Sequence, residues 1–271
     1  MSDELHQKLQ SAGYGVSPNA KGRYIQGLIR LMGDLPSMDF LRDEYMIQLL
    51  SNAQLRKEKA FTYKQMHQIA HPEQETDRFY AQMQTLIAKG MFLRGYNLSC
   101  PVCDLDTWYS LSAVDEHVTC QGCRFEFQMP LTLPFAYRPN RLLVEALKSG
   151  AMTILLTALW LHEQDITMQW QTESVVYQGG LMTDIDIAAQ VNGEMWLMEC
   201  KDNFKTTDKA LDELIEQLKT GQQIAQDIGA SRYLFSTLIA RPIPDRLADF
   251  LASQQIDVLG RTNLLSVTNS A

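Results

Sequence analysis

The dipeptide Asn192-Gly193 lies between two runs of β-branched and long apolar residues, 184–191 and 195–201, and it restricts this stretch of chain more than any other feature. Both residues tolerate positive φ, which a two-residue type I′ turn demands, so the runs read as an antiparallel hairpin. The turn fixes the register: Val191 faces Glu194, and stepping outward sets Asp186 opposite Glu199 and Asp184 opposite Lys201. Side chains alternate along a strand, so Asp184, Asp186, Glu199 and Lys201 share one face, while Ile185, Ile187, Met198 and Cys200 share the other.

Opposed side chains on such a pair have Cβ atoms roughly 4.5–5.5 Å apart, and like charges there repel. Asp186 against Glu199 therefore calls for a proton or a cation. Two carboxylates suit a hard divalent ion such as Mg²⁺, or Mn²⁺, which retains waters and takes further ligands from phosphate oxygens. Lys201 would lie beside the bound water. The bland alternative is a half-exposed hairpin with a solvated charged face. The E-x-K step on the second strand and the apolar reverse face favour a site.

These residues resemble the signature of the PD-(D/E)XK, or restriction-endonuclease-like, phosphodiesterases. Asp186 matches the first acid, Glu199 the second and Lys201 the lysine. The resemblance implies that the acids bind one or two divalent ions, helped by the backbone carbonyl of Cys200, and that Lys201 positions the attacking water. Ile185 stands where a proline often precedes the first acid. The resemblance runs from about residue 138 onward, and it implies a mixed sheet flanked by helices.

Cys100, Cys103, Cys120 and Cys123 form C-x₂-C-x₁₆-C-x₂-C, the spacing at which two tight turns bring four thiolates round one tetrahedral Zn²⁺. Gly122 is expected to supply permissive backbone in the second turn. Four ligands leave no open position, so the zinc would be structural. The segment resembles a zinc ribbon. His117 is a possible competitor, and Trp108 and Tyr109 are candidates to brace the turns. One basic residue, Arg124, against five acids over 100–130 points to a protein-facing or linking role.

Residues 1–60 read as helices, one of them over 40–50, and nothing catalytic stands out there. Over 62–95 the order helix, turn, helix, strand is that of a winged helix, with Phe79, Met83, Leu86 and Ile87 inward and Gln82 and Gln84 outward. His67 and His71 read as surface polar residues. The expected organisation is a helical and winged-helix-like region over 1–98, a zinc ribbon over 99–133 and a nuclease-like α/β (α+β) domain over 134–271.

Within that last region Asn140 is placed to cap a helix over 142–148, and a second helix over 152–161 is apolar nearly all round, hence buried. A strand over 166–177, the hairpin, a helix over 206–230, a strand over 233–239, a helix over 244–254 and an extended segment over 258–267 follow. Glu145, on the helix before the hairpin, and Gln217, on the helix after it, are further candidates for the site. Cys200, on the apolar face, reads as inert packing.

The formal net charge of −8 argues against indiscriminate nucleic-acid binding, although residues 1–99 carry 12 Lys and Arg against 10 Asp and Glu. Carboxylates in a metal site are partly neutralised once ions bind, so the acidic balance does not exclude a phosphodiester substrate. The longest apolar run, 151–161, is too short to span a bilayer, and the N-terminus lacks a signal pattern, so a cytoplasmic setting without membrane contact is expected. No G-x-x-x-x-G-K-[ST] motif provides a nucleotide motor. The expected activity is that of a Mg²⁺- or Mn²⁺-dependent endonuclease acting on DNA, with RNA left open. A protein partner or larger assembly and a setting in defence against foreign DNA complete the expectation. The rival reading is a non-enzymatic DNA-binding or docking module built on a degenerate nuclease fold.

Overall fold

The chain leaves one unit and later returns to it: residues 1–43 and 149–271 form the first unit, and residues 44–148 the second. The computed structural model describes residues 2–18, 20–72, 75–130, 132–165 and 168–265. The fold is mixed α/β, as expected. The boundaries read from sequence at 98/99 and 133/134 both fall inside the second unit.

The first unit opens with α1 (Ser2–Ser11), β1 (Gly15–Pro18), α2 (Ala20–Met32) and a 3₁₀ helix over Pro36–Arg42. Strand β1 was not expected, since four residues including a glycine and a proline carry no alternating pattern. The single helix expected over 40–50 is also divided. Asp43, buried and extended at φ −71° and ψ 132°, separates the 3₁₀ helix from α3 (Glu44–Leu50), and the second unit begins there.

That unit continues through β2 (Phe61–Thr62), α4 (Tyr63–Ala70), α5 (Thr76–Ala88), β3 (Phe92–Ser99), β4 (Asp106–Ser110), β5 (His117–Thr119), β6 (Glu126–Gln128), β7 (Ala136–Pro139) and α6 (Arg141–Lys148). Thr62 and Gln65 close a reciprocal capping box that starts α4. Strands β2, β7, β3 and β4 make one antiparallel sheet, and β5 pairs with β6. Helix α5 buries Phe79, Met83 and Leu86. It also buries Gln82, which the sequence had placed outward, while Gln84 donates to the Tyr80 hydroxyl at 2.8 Å. Asn140 starts α6 as expected, its Oδ1 accepting from the Leu143 N–H at 2.7 Å.

Back in the first unit come α7 (Ala151–Gln164), β8 (Gln169–Gln178), β9 (Leu181–Val191), β10 (Glu194–Lys201), α8 (Asp208–Asp227), β11 (Arg232–Thr237), α9 (Asp245–Ser253), β12 (Asp257–Leu259) and α10 (Arg261–Leu264). The extended segment expected over 258–267 shortens to β12 and turns helical at Arg261. Residues 166–167 and 266–267 of the expected strands lie outside the described residues.

The sheet runs β1-β8-β9-β10-β11-β12, antiparallel as far as β10 and parallel beyond it. Its centre is β10, a strand buried on both faces from Met195 to Cys200 and not the half-exposed arm of a hairpin. Helix α7 covers one face, with every residue from Ala151 to Leu159 buried. Two hydroxyls inside it find partners: Thr157 shares a hydrogen bond of 2.6 Å with Ser236, and Thr153 donates to Asp202 at 2.8 Å. Helix α8 lies on the other face and sends Leu211, Leu214 and Leu218 against Phe235, Leu247 and Leu251. Each such Leu stabilises the fold by about 1.5–3 kcal/mol relative to exposure. Gly229 at φ 67° ends α8, where the Ala230 N–H reaches the Ala225 carbonyl at 2.8 Å.

Candidate functional site

The hairpin forms as its turn dictates. Asn192 and Gly193 have φ of 51° and 83°, and β9 and β10 pair from Val191↔Glu194 to Ile187↔Met198. There the ladder stops, so Asp186 and Glu199 are not cross-strand partners, nor are Asp184 and Lys201. Beyond Met198, β10 keeps its partner on the other side, Glu199 with Phe235 and Lys201 with Thr237. On the β9 side the Asp186 carboxylate replaces the missing backbone acceptor, and the Cys200 N–H donates to its Oδ2 at 2.7 Å. The divergence of the strands thus opens a gap into which an acid projects.

Glu199 faces α8, where Gln217 donates from Nε2 to its Oε1 at 2.8 Å. Lys201 Nζ meets the same oxygen at 2.5 Å. The partner of Lys201 is therefore Glu199 and not Asp184. Asp184 sits by Val175 of β8 and lines an open groove of about 390 Å³ with Met182, Thr183, Glu216, Gln217 and Thr220. Gln217 belongs both to that groove and to the Glu199 carboxylate.

Asp186 and Glu199 are 7% and 3% exposed, a depth at which carboxylates carry a steep desolvation cost. Burial, then the charge of Asp186, pushes Glu199 up to about 8 despite the nearby ammonium. Burial draws Lys201 down, but Glu199 and Asp186 outweigh it and leave the ammonium raised. Burial and the Asp186 charge thus favour the protonated form of Glu199, while Lys201 favours its carboxylate.

Two buried carboxylates of this kind fit a hard ion in donor chemistry and would supply only part of its shell, as Mg²⁺ permits. Cys200 points the other way, its Sγ 3.9 Å from Thr157 Oγ1 on α7, and burial followed by the charges of Asp186 and Glu199 holds the thiol well above its ordinary value. It is packing, as read. Glu145 belongs to the second unit, where it is tied to Arg141 at 3.4 Å and Lys148 at 3.1 Å on its own helix.

Asp202 is a residue the sequence reading missed. It follows Lys201, and its Oδ1 accepts both the Thr153 N–H and the Thr153 hydroxyl at 2.8 Å, capping the start of α7 from another element. The loop leaving β10 is thereby fixed directly after the lysine. The signal was present as Thr153 and Thr157, four apart in an otherwise apolar helix.

In the second unit the sulfurs of Cys100, Cys103, Cys120 and Cys123 all lie within 4.8 Å of one another. The pairs Cys100–Cys123 and Cys103–Cys120 are 3.5 and 3.7 Å apart, near the roughly 3.8 Å edge of a tetrahedron with metal–sulfur bonds of about 2.3 Å. The cluster fits a four-thiolate metal site. His117, paired with Gln128, is not among the converging groups.

The two turns are built alike. Asp104 N–H reaches the Cys100 carbonyl and Arg124 N–H the Cys120 carbonyl, with Asp104 and Arg124 at φ 54° and 64°. Positive φ thus falls on these two residues and not on Gly122. A Cβ at Gly122 would press on the flexible tip of Leu105 at 2.7 Å and touch Cys120 Sγ at 3.8 Å. Tyr109, buried, braces the second turn by donating to the Thr119 carbonyl and accepting the Gln121 N–H. Trp108 instead bonds the Ala136 carbonyl and lies under Arg138, 4.1 Å from its ring centroid.

No family model and no curated protein matches the chain. Among solved structures, protein VC1899 from Vibrio cholerae is similar with a TM-score of 0.48 and 12% identity over 96% of this chain and 58% of that one. Can2 from Sulfobacillus thermosulfidooxidans, solved in complex with cyclic tetra-adenylate, gives 0.46 and 10% over 94% and 56%. AF1548, a protein of unknown function, gives 0.31 and 17% over 39% and 54%. The chain spans a little over half the length of each. No single helix among the described residues is long and apolar enough to cross a membrane.

Proposed function

We propose that this chain is a divalent-metal-dependent phosphodiesterase of the PD-(D/E)XK type, a nuclease whose substrate is DNA. The observation that carries the reading is the convergence of Asp186, Glu199, Lys201 and Gln217 where β9 leaves β10. Two buried acids lie within reach of each other's charge, and a lysine contacts one of them. Asp186, Glu199 and the Cys200 carbonyl would hold Mg²⁺ or Mn²⁺. When bound, the ion supplies Lewis-acid polarisation of the phosphate and a water of lowered pKa.

Lys201, in contact with Glu199, would hold the attacking water, and Gln217 donates to the Glu199 carboxylate from α8. Asp184 lines the groove that leads away from these groups. In the second unit the four cysteines would hold one structural Zn²⁺, giving a zinc ribbon joined to a winged-helix-like arrangement of α4, α5, β3 and β4. A role in defence against foreign DNA and a protein partner rest on the sequence resemblance.

One observation favours the non-enzymatic rival. Glu199, Lys201 and Gln217 satisfy one another without a metal, as a structural ion pair would. Plasmid cleavage with Mg²⁺, with EDTA and with the Lys201→Ala variant separates the two. The phosphodiesterase reading expects nicking or linearisation in the first case alone. An intact plasmid under Mg²⁺ and under Mn²⁺ would leave the structural pair as the better account.

A further inference from the structure

The parallel strands β10 and β11 end at the same edge of the sheet, and the loops that leave them, 202–207 and 238–244, border an open, shallow cleft of about 390 Å³ lined by Asn203, Phe204, Lys205, Thr206 and Arg241. In open α/β sheets this edge, outside the carboxyl ends of the strands, is where ligands bind. The loops are stitched together. The Thr237 hydroxyl and the Leu238 N–H both donate to the Lys201 carbonyl, at 3.0 and 3.3 Å, and Arg241 Nη2 donates to the Phe204 carbonyl at 2.7 Å. Phe204 is anchored on Phe235, ring centroids 6.0 Å apart, and Asp202 is committed to Thr153. These contacts tie the two loops to each other and to the sheet.

Its charge is uncompensated. Arg246 is paired with Asp212, and Lys209 lies 3.9 Å from Glu213. Lys205 and Arg241, both exposed, have no acidic partner among the described residues, and Arg241 has given only one of its five N–H donors to the protein. Two cations with free donors, a threonine and an asparagine make an oxyanion site in a chain whose net charge is −8. Lys205 lies on the loop that follows Lys201.

We infer that this cleft is a phosphate subsite, which takes a backbone phosphate of the nucleic acid next to the bond cleaved beside Lys201. The inference rests on the phosphodiesterase reading and adds to it the grip on the strand. Substrate specificity does not come from this cleft, because phosphate contacts position a duplex without reading its bases.

The test is fluorescence anisotropy of a short labelled DNA duplex in EDTA, across a salt series, for the wild-type chain, Lys205→Gln, Arg241→Gln and the double variant. Lys8→Gln, on α1 beside Glu4, is the charge-matched control. Each cleft substitution should lower the slope of log K against log salt by about 0.9 and weaken binding about eightfold at 0.1 M salt, with the double variant near the sum. Lys8→Gln should leave the slope unchanged.

Unchanged slopes in both cleft variants overturn the inference, as does an equal drop in the control or a wild-type chain that does not bind at low salt. Cleavage under Mg²⁺, measured in parallel, keeps the two readings apart. Cutting with unchanged slopes sinks the subsite alone. Lowered slopes without cutting leave a phosphate-binding cleft and sink the phosphodiesterase.

Discussion

Replacing Glu199 with Gln should make the metal-free protein more stable near neutrality, although it removes a residue proposed to bind metal. The fold raises this carboxyl from an ordinary 4.5 to about 8, so the folded chain binds a proton that the unfolded chain has released over that interval. A group raised in this way contributes stability that is fully present below 4.5 and is lost as pH climbs through 8. At 1.36 kcal/mol per pH unit, the cost of Glu199 reaches a ceiling of about 1 kcal/mol at pH 5, about 3 at pH 7 and just under 5 at pH 9. Gln217 can still donate to the amide oxygen of a glutamine, so the variant keeps that hydrogen bond and sheds the charge. Urea unfolding in EDTA at those three pH values should show Glu199→Gln gaining on wild type as pH rises. Added Mg²⁺ should stabilise wild type and not the variant. A constant difference across the pH series would mean that Glu199 is ionised without strain, and the argument from its burial would fail.

Asp186→Ala should cost about 1–3 kcal/mol in metal-free buffer, because it leaves the buried Cys200 N–H without its acceptor, whereas Asp186→Asn should cost clearly less; chemical denaturation of the two side by side decides. Metal analysis should find one zinc per chain, lost in the Cys100→Ser, Cys103→Ser double variant and retained in Cys200→Ser. Gly221→Ala should destabilise by about 1–3 kcal/mol, since a Cβ there would lie 2.1 Å from the buried Tyr233 hydroxyl, and an unchanged melting temperature would show that α8 and β11 can yield. Lys201→Ala should abolish cleavage while duplex binding in EDTA stays within a fewfold of wild type, and full cleavage by that variant would remove Lys201 from the chemistry.

Local chemistry made the hairpin legible. An Asn-Gly turn fixes its own register, and the register held for every rung the ladder contains. The point where the rungs end was not legible, because it depends on β11, which joins β10 from the far side after a helix of 20 residues. For the same reason the sequence paired Lys201 with Asp184 across the hairpin and missed Glu199 two residues away on its own strand. Strand β1 was hidden because its partner follows more than 150 residues later. The cysteine cluster was readable from spacing alone, since thiolates at both ends of two short turns have few ways to meet. Gly122 misled because a glycine in a turn suggests positive φ, while Asp104 and Arg124 were the residues that adopted it.

The pairing of β1 with β8 also sets an order of events during synthesis. Gly15 must wait for Tyr177, and the sheet is not complete until β12 has been made. Residues 44–148 face no such delay, for every strand and helix of that unit lies within one continuous stretch. The unit with the cysteines can therefore close while the first strand of the other still has no neighbour. Long-range pairing of this kind is slow and leaves strand edges open meanwhile. A mutation that weakens the pairing of β1 with β8 would lengthen that exposure and lower the yield of folded protein without touching the acids or the lysine.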